Sequence, residues 1–441
     1  MPRSNARLRW LLLAAAGGAC AIAACTNERA PSTAEEAPAP PPPAPAPTGD
    51  VQEPNETKGG SSGSAPSTPE QKPPAPDLYD PDTIPEFELT LDPSAMATLM
   101  SATPETKNAA WVHGAFKFGG ITFADVGVRL KGAETFRVLP NKASLKVKLN
   151  KWVKGQKLYG LEELTLNNMV TDRNFLRQRL TYHVFRSMGL PAQKANTAHL
   201  RINGEDYGIY ANVETPDETF LRRVFGKKKV KSLYEAHTPG TWLPGSAHRW
   251  EIDIAAPSAP AGAMPDLDLL FQAVAAAKDE TLLADLEPRL HTQQWLRFCA
   301  TESVTGHNDG YAYGFWGSHN YYLAGDADGK FSILPWSTDA TLNDDDGIPD
   351  ASKPQSDVVL VRCSRSTTCW SAYKAEMQSV LATYATLDLV DLAHKWHGQI
   401  DALVKADPKR EERLDQYEYE TELLYEWLAA RPNVIRAQLG L

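Results

Sequence analysis

Three polar clusters lie close together late in the chain: His307-Asn-Asp-Gly-Tyr311, Ser318-His-Asn-Tyr-Tyr322 and Leu334-Pro-Trp-Ser-Thr-Asp339. They supply an acid, an amide and a second acid at Asp309, Asn320 and Asp339. That set suits a hard cation bound through oxygen, with one carboxylate spare as a base. Loops held by rigid elements are where such groups concentrate. Asp and Asn before Gly or Tyr also make ordinary turns, so composition alone leaves both readings open. A second set lies far upstream. Over residues 142–149, Lys142, Ser144, Lys146 and Lys148 share one parity, and Leu145, Val147 and Leu149 the other. A strand sends alternate side chains to opposite faces. One face is then apolar and the other basic, fit for phosphate oxygens or simply for solvent.

The elements that must carry these groups follow from periodicity. Residues 87–91 and 143–149 alternate as strands do, and 114–131 reads as two strands turning at Gly119-Gly120. Residues 198–214 form a hairpin around Asn203-Gly204. Residues 172–188 have helical spacing, with Leu176, Leu180 and Val184 on one face. Beyond 215 the spacing is mostly helical: 217–224, 266–278, 292–305 and 371 onward. One short hairpin around Asp328-Gly329 interrupts it. Strands first and helices after predict an α+β domain with two lobes, N-lobe about 85–214 and C-lobe about 215–441. A cleft between lobes is a common small-molecule site. Tyr417, Leu423, Leu424 and Trp427 in the last helical stretch read as core.

The chain has 441 residues and a formal net charge of -10. That charge argues against a nucleic-acid binder, which needs a basic footprint. Arg3, Arg7 and Arg9 precede an apolar run from Trp10 to Ala24, the pattern of an export signal over residues 1–24. The run ends in Ile22-Ala23-Ala24-Cys25, which resembles a bacterial lipobox. The resemblance implies acylation of Cys25 and attachment to the envelope, at the outer membrane or cell surface. Ordinary cleavage nearby is the alternative. Residues 26–77 hold no aromatic residue, no Leu and no Ile. They cannot bury enough apolar area to offset their ordering entropy, so 25–77 is expected to be a linker. The folded domain is then 78–441.

Export also bears on the cysteines. Cys363 and Cys369 enclose Ser-Arg-Ser-Thr-Thr in a loop-like stretch, and an oxidising compartment favours a disulfide between them. A metal pair is the rival, with no His or Cys nearby to complete it. Cys299 beside Trp295 and Phe298 reads as a small buried residue. Asp326-Ala-Asp-Gly-Lys330 lacks the later Glu of a calcium loop and reads as a hairpin turn. Asp344-Asp-Asp-Gly-Ile-Pro-Asp350 is either a structural Ca²⁺ loop or an exposed acidic one.

Taken in order, many short motifs resemble the spore coat protein H (CotH) kinase-like family. They include Val128-Arg-Leu-Lys-Gly132, Asn141-Lys-Ala-Ser-Leu-Lys146, Leu164-Thr-Leu-Asn-Asn168 and Phe175-Leu-Arg177. They continue through Ile202-Asn-Gly204, Tyr207-Gly-Ile-Tyr210, Val213-Glu214 and Asn308-Asp-Gly-Tyr311 to His319-Asn-Tyr321 and Pro335-Trp-Ser-Thr-Asp339. The resemblance implies an atypical protein-kinase-like fold and ATP-dependent transfer of phosphate to Ser or Thr of surface or secreted proteins. Like the family, the chain lacks the usual kinase Gly-rich loop and the His-Arg-Asp-Leu motif. On this resemblance Asp309 is the catalytic base, and Asn320 and Asp339 hold Mg²⁺ or Mn²⁺. Lys142, with Lys146 second, meets the nucleotide phosphates. Glu214 either contacts the nucleotide, pairs with a Lys or merely ends a strand. One departure stands out. The family shows Pro-Trp-Asp-x-Asp, and here Ser337 replaces the first Asp. This implies either that Asp339 serves as the metal carboxylate or that the protein is a pseudokinase or surface-binding module.

Overall fold

The computed structural model describes residues 77–227, 229–343 and 350–441. Alternation governs the first half. In Glu86–Thr90 (β1) only Phe87 and Leu89 are buried. Pro93–Ser101 (α1) is capped by Asp92, whose carboxylate accepts the Ala95 N–H. Val112–Phe118 (β2) and Ile121–Lys131 (β3) follow, then Ser144–Lys148 (β4), Glu163–Asn167 (β5) and Arg177–Ser187 (α2). Ala195–Ile202 (β6) and Glu205–Val213 (β7) complete a closed barrel in the order β1-β2-β3-β4-β5-β7-β6. Closure leaves no edge strand exposed. Leu145, Val147 and Leu149 point inward and are fully buried, while the outward face of β3–β5 aligns Arg129 with Lys146, and Lys146 with Thr165.

The expected helix over 172–188 begins only at Arg177. The turn before it is bent around Asp172, whose carboxylate accepts the N–H groups of Leu176, Arg177 and Gln178. Such side-chain bonds compete with helix formation and favour a cap.

The second half is not as helical as its spacing predicts. Glu218–Phe225 (α3) leads into two strands, Val230–Ala236 (β8) and Trp250–Ile254 (β9). Ser232, Leu233 and Tyr234 of β8 are all buried, so that strand shows no alternation to read. Pro265–Ala276 (α4), Leu282–Leu286 (α5) and Thr292–Thr305 (α6) precede the hairpin of Tyr321–Asp326 (β10) and Phe331–Pro335 (β11). These strands make a four-stranded sheet, β11-β10-β8-β9. Val358–Arg365 (α7), Thr367–Tyr384 (α8), Leu389–Ala406 (α9) and Leu414–Leu439 (α10) close the chain. The fold is α+β. One apolar cluster fills the barrel, and a second joins α2 and β6–β7 to the later sheet and helices. Pro73–Leu441 is a compact unit in itself and contains both clusters.

The stretch around Cys363 is not a loop. Cys363 lies in the last turn of α7, Cys369 in the first turn of α8, and a disulfide joins them. Ser366 between them caps α8 by accepting the Cys369 N–H at 3.3 Å. Cys299 is a free, buried thiol on α6 whose pKa burial pushes well up. Asp326 and Asp328 sit in the β10–β11 turn, where Asp326 accepts the N–H of Asp328 and of Lys330. In α10, Tyr417, Leu424 and Trp427 are buried, but Leu423 is exposed, because it lies off the buried face of that helix.

Candidate functional site

Helix α6 ends at Gly306, which has φ +62°, and a Cβ there would meet the Trp427 ring at 2.8 Å. The chain then winds around one buried carboxylate. Glu302 accepts the N–H of Tyr311 at 2.9 Å and of Ala312 at 2.7 Å, and faces His307 Nδ1 at 3.1 Å. A Cβ on Gly310 would stand 2.4 Å from Glu302 Oε1, so the coil closes only around glycine. Its product is a fixed Asp309 whose side chain is 37% exposed.

Two neighbours orient that carboxylate. His319 Nε2 lies 2.6 Å from Asp309 Oδ1, and Asn320 Nδ2 donates to Asp309 Oδ2 and to its backbone oxygen, both at 2.8 Å. His319 Nδ1 lies 2.6 Å from the Gly317 carbonyl oxygen. Both ring nitrogens therefore face acceptors, which calls for the doubly protonated imidazolium. Burial opposes that charge, but the bond to Asp309 and its negative charge outweigh it and hold the His319 pKa above its usual value. The pair's contribution is full below the ordinary histidine pKa. It is lost as pH rises through the raised one.

The second acid stands at the open end of the β10–β11 hairpin. Trp336 N–H donates to the Asn320 carbonyl at 3.0 Å, bringing residues 336–339 alongside Asn320. Ser337 has φ +47° and its hydroxyl donates to Asp339 Oδ1 at 3.1 Å. The Thr171 hydroxyl donates to Asp339 Oδ2. Next to Thr171, burial pushes the Asp172 carboxyl up to about 6, partly offset by Arg177 and reinforced by the charge of Asp339.

A cation faces this acid from the barrel. Lys131, at the end of β3, donates to Asn167 Oδ1 at 2.5 Å and lies 5.6 Å over the Trp336 ring. Burial, aided by Lys146, lowers its pKa to about 8, while Asp339 and Glu235 act in the opposite sense. Trp336 meets Tyr322 edge-on at 5.5 Å, and the Tyr322 hydroxyl donates to Glu235 at 2.7 Å.

Asp309, Asn320 and Asp339 are thus gathered at one end of one hairpin. The basic strand is placed differently. Lys142 is 1% exposed and forms an ion pair with Asp407, between the rings of Phe175 and Tyr210. Its ammonium has a carboxylate partner and is sealed from solvent. Lys146 pairs with Glu163 at 3.0 Å and keeps part of its side chain accessible. Glu214 is buried, accepts from Arg223 Nε at 2.8 Å and from the Lys194 N–H at 3.0 Å, and so pairs with an Arg. Cys25 and most of the acidic loop, residues 344–349, lie outside the described residues.

Three residues of the site are absent from the sequence-based set. His319 and Lys131 stand inside motifs already noted, His319-Asn-Tyr321 and Val128-Arg-Leu-Lys-Gly132. Their alignment on Asp309 and Asp339 depends on folding, since 188 residues separate Lys131 from His319. Glu302 has no local signal, being one Glu on an otherwise apolar helix face.

No group of three or more His, Cys, Asp or Glu fit to hold a metal occurs among the described residues. The oxygen donors fit a narrower role. Asp339 offers a carboxylate, and the Asn320 side-chain oxygen is left available because its nitrogen does the bonding to Asp309. Mg²⁺ commonly takes one or two carboxylates and completes its shell with substrate phosphates and water.

A family model described as CotH kinase protein matches residues 128–435. The chain belongs to the CotH family. The match opens inside β3, just before Lys131, and runs into α10. This CotH-family chain is 21% identical over 303 residues to the inner spore coat protein H of Bacillus subtilis (strain 168), covering 64% of the chain and 80% of that protein. Among solved structures, it is similar to the Helicobacter pylori proinflammatory kinase CtkA, at 13% identity and TM-score 0.27, covering 69% of this chain and 96% of that one. It is also similar to the HipA, HipB and operator DNA complex of Shewanella oneidensis MR-1, at 12% identity and TM-score 0.28, covering 69% and 67%. Scores this low do not carry a fold assignment. Among the described residues no helix is long and apolar enough to cross a membrane.

Proposed function

We propose that this CotH-family protein is an atypical, two-lobed kinase that moves the γ-phosphoryl group of ATP to a Ser or Thr hydroxyl of a surface or secreted protein. The observation that supports it best is the Asp309 carboxylate, held by His319 and Asn320, with Asn320 bonded in turn to Trp336 of the segment that carries Asp339. Asp309 orients the acceptor hydroxyl and takes its proton as the oxygen attacks phosphorus. A bond forms between that oxygen and the γ-phosphorus, the bond to the β–γ bridging oxygen breaks, and ADP leaves. Lys131, with Lys146 behind it, neutralises phosphate oxygens. Asp339 and the Asn320 oxygen hold Mg²⁺ or Mn²⁺, which supplies charge neutralisation at the phosphates when bound. The remaining parts of the reading are export, a lipid anchor at Cys25, and an acceptor in the envelope or outside the cell.

The nucleotide half has a direct test. With Mg²⁺ or Mn²⁺, ATP at a hundredfold excess over its Kd should stabilise Pro73–Leu441 by about 2.7 kcal/mol, read as a rise in Tm. The rise should need the metal and vanish in Lys131→Met. It should also fade as pH rises through about 8, where Lys131 loses its proton and its hold on phosphate. A rise of equal size in Lys131→Met would remove that residue from the site.

Ser337 favours a second reading, in which the fold persists as a pseudokinase or surface-binding module. The two readings separate on Ser337→Asp. Asp tolerates the left-handed backbone found there, and it places a second carboxylate beside Asp339. If the wild type is active, its metal midpoint should fall about tenfold, equivalent to about 1.4 kcal/mol. If activity appears only in Ser337→Asp, the second reading holds.

A further inference from the structure

Phe315 and Trp316 are the two most exposed large apolar residues among those described, at 70% and 73%. They lie on the loop that leads from Asp309 to His319. Their rings meet each other edge-on at 5.2 Å. The loop is built to present them. Phe315 N–H donates to the Asn308 carbonyl at 2.8 Å, Gly317 N–H to the Gly314 carbonyl at 3.1 Å, and the Ser356 hydroxyl also bonds the Gly314 carbonyl. A Cβ on Gly314 would stand 2.5 Å from two carbonyl oxygens, and Gly317 has φ +98°. Aromatic residues are enriched at the centres of protein interfaces relative to the rest of the surface.

The surroundings narrow the occupant. Residues 310–318, Gly-Tyr-Ala-Tyr-Gly-Phe-Trp-Gly-Ser, carry no charge in a chain of net charge -10. The stretch itself offers no ion pair, and the Asp309 and His319 that flank it pair with each other. The Asp309 side chain is 37% exposed, and the Phe315 N–H bond to the Asn308 carbonyl sets the aromatic loop beside it, an arrangement that suits a polypeptide laid across both.

We propose that Phe315 and Trp316 are the acceptor-docking site. They seat an aromatic or aliphatic side chain of an extended protein segment whose Ser or Thr hydroxyl reaches Asp309. The proposal rests on the phosphotransfer reading of Asp309 for its purpose, but not for its test. Two fluorescent peptides carry one Ser, flanked by Leu and Phe in one and by Glu in the other. Their binding to Pro73–Leu441 is followed by anisotropy without nucleotide, beside the double variant Phe315→Ser/Trp316→Ser. The wild type should bind the apolar-flanked peptide at least tenfold tighter, and the variant should lose that preference while keeping its metal-dependent ATP shift in Tm. Equal binding of both peptides by the wild type, or an unchanged preference in the variant, overturns the proposal. So does sedimentation showing that the rings instead join two copies of this chain. A peptide preference without any label transfer from ATP counts against phosphotransfer and leaves the docking site standing.

Discussion

Asp309→Asn is expected to slow phosphoryl transfer by about 100- to 10,000-fold, the range that a positioned general base contributes. The fold should survive, because the loop is wound on Glu302 and Gly310 and not on Asp309. Asn keeps the shape but takes no proton. It also deprives the His319 imidazolium of its counter-charge, so His319 titrates lower in the variant. The lost ion pair is partly exposed, and such pairs contribute about 0–1 kcal/mol. Tm should therefore move little, and the metal-dependent ATP shift should persist. A variant that transfers at the wild-type rate would take Asp309 out of the chemistry. A variant that fails to fold would make Asp309 a structural residue.

Lys142→Met should act in the reverse pattern, with a large loss of stability and a retained response to ATP. Removing one partner of a buried pair costs about 3–5 kcal/mol, because the other charge stays behind unpaired. The Asp407 side chain is fully buried and also accepts the N–H of Ile209 at 3.1 Å and of Lys409 at 2.8 Å. A Cβ on Gly208 would collide with it. The pair therefore clamps the turn between α9 and α10 onto β7 of the barrel. Burial lowers the Lys142 pKa, with Asp407 opposing. Urea unfolding should show the loss as a lower midpoint, and Lys142→Met/Asp407→Leu should recover much of it, since replacing both charges is often neutral. If Lys142 were a phosphate ligand, its variant would keep its midpoint and lose the ATP shift.

That contrast shows what sequence could and could not supply. Parity over residues 142–149 placed Leu145, Val147 and Leu149 inside correctly, because alternation is a local property of strands. It set Lys142 on a basic face fit for phosphate or for solvent, and the family resemblance pointed it at the nucleotide. Its partner Asp407 lies 265 residues away, beyond any periodicity argument. The hairpins at Gly119-Gly120, Asn203-Gly204 and Asp328-Gly329 were legible because turn chemistry is local. Strand β8 was not, since Ser232 to Tyr234 are buried on both faces. At the site, Asp309, Asn320 and Asp339 were legible as residue types near one hairpin. The roles of His319, Lys131 and Glu302 were not, because each depends on which atom of a distant residue it meets.

The central claim is that Asp309 serves metal-dependent transfer of phosphate from ATP. The most direct measurement incubates Pro73–Leu441 with γ-labelled ATP, Mg²⁺ or Mn²⁺ and a generic phosphoacceptor protein, beside Asp309→Asn. The account predicts label on Ser or Thr of the acceptor, dependent on the metal and lost in the variant. A folded wild-type protein that transfers no label and shows no ATP-dependent rise in Tm would contradict it, leaving the fold as a binding module with Ser337 at its former metal site.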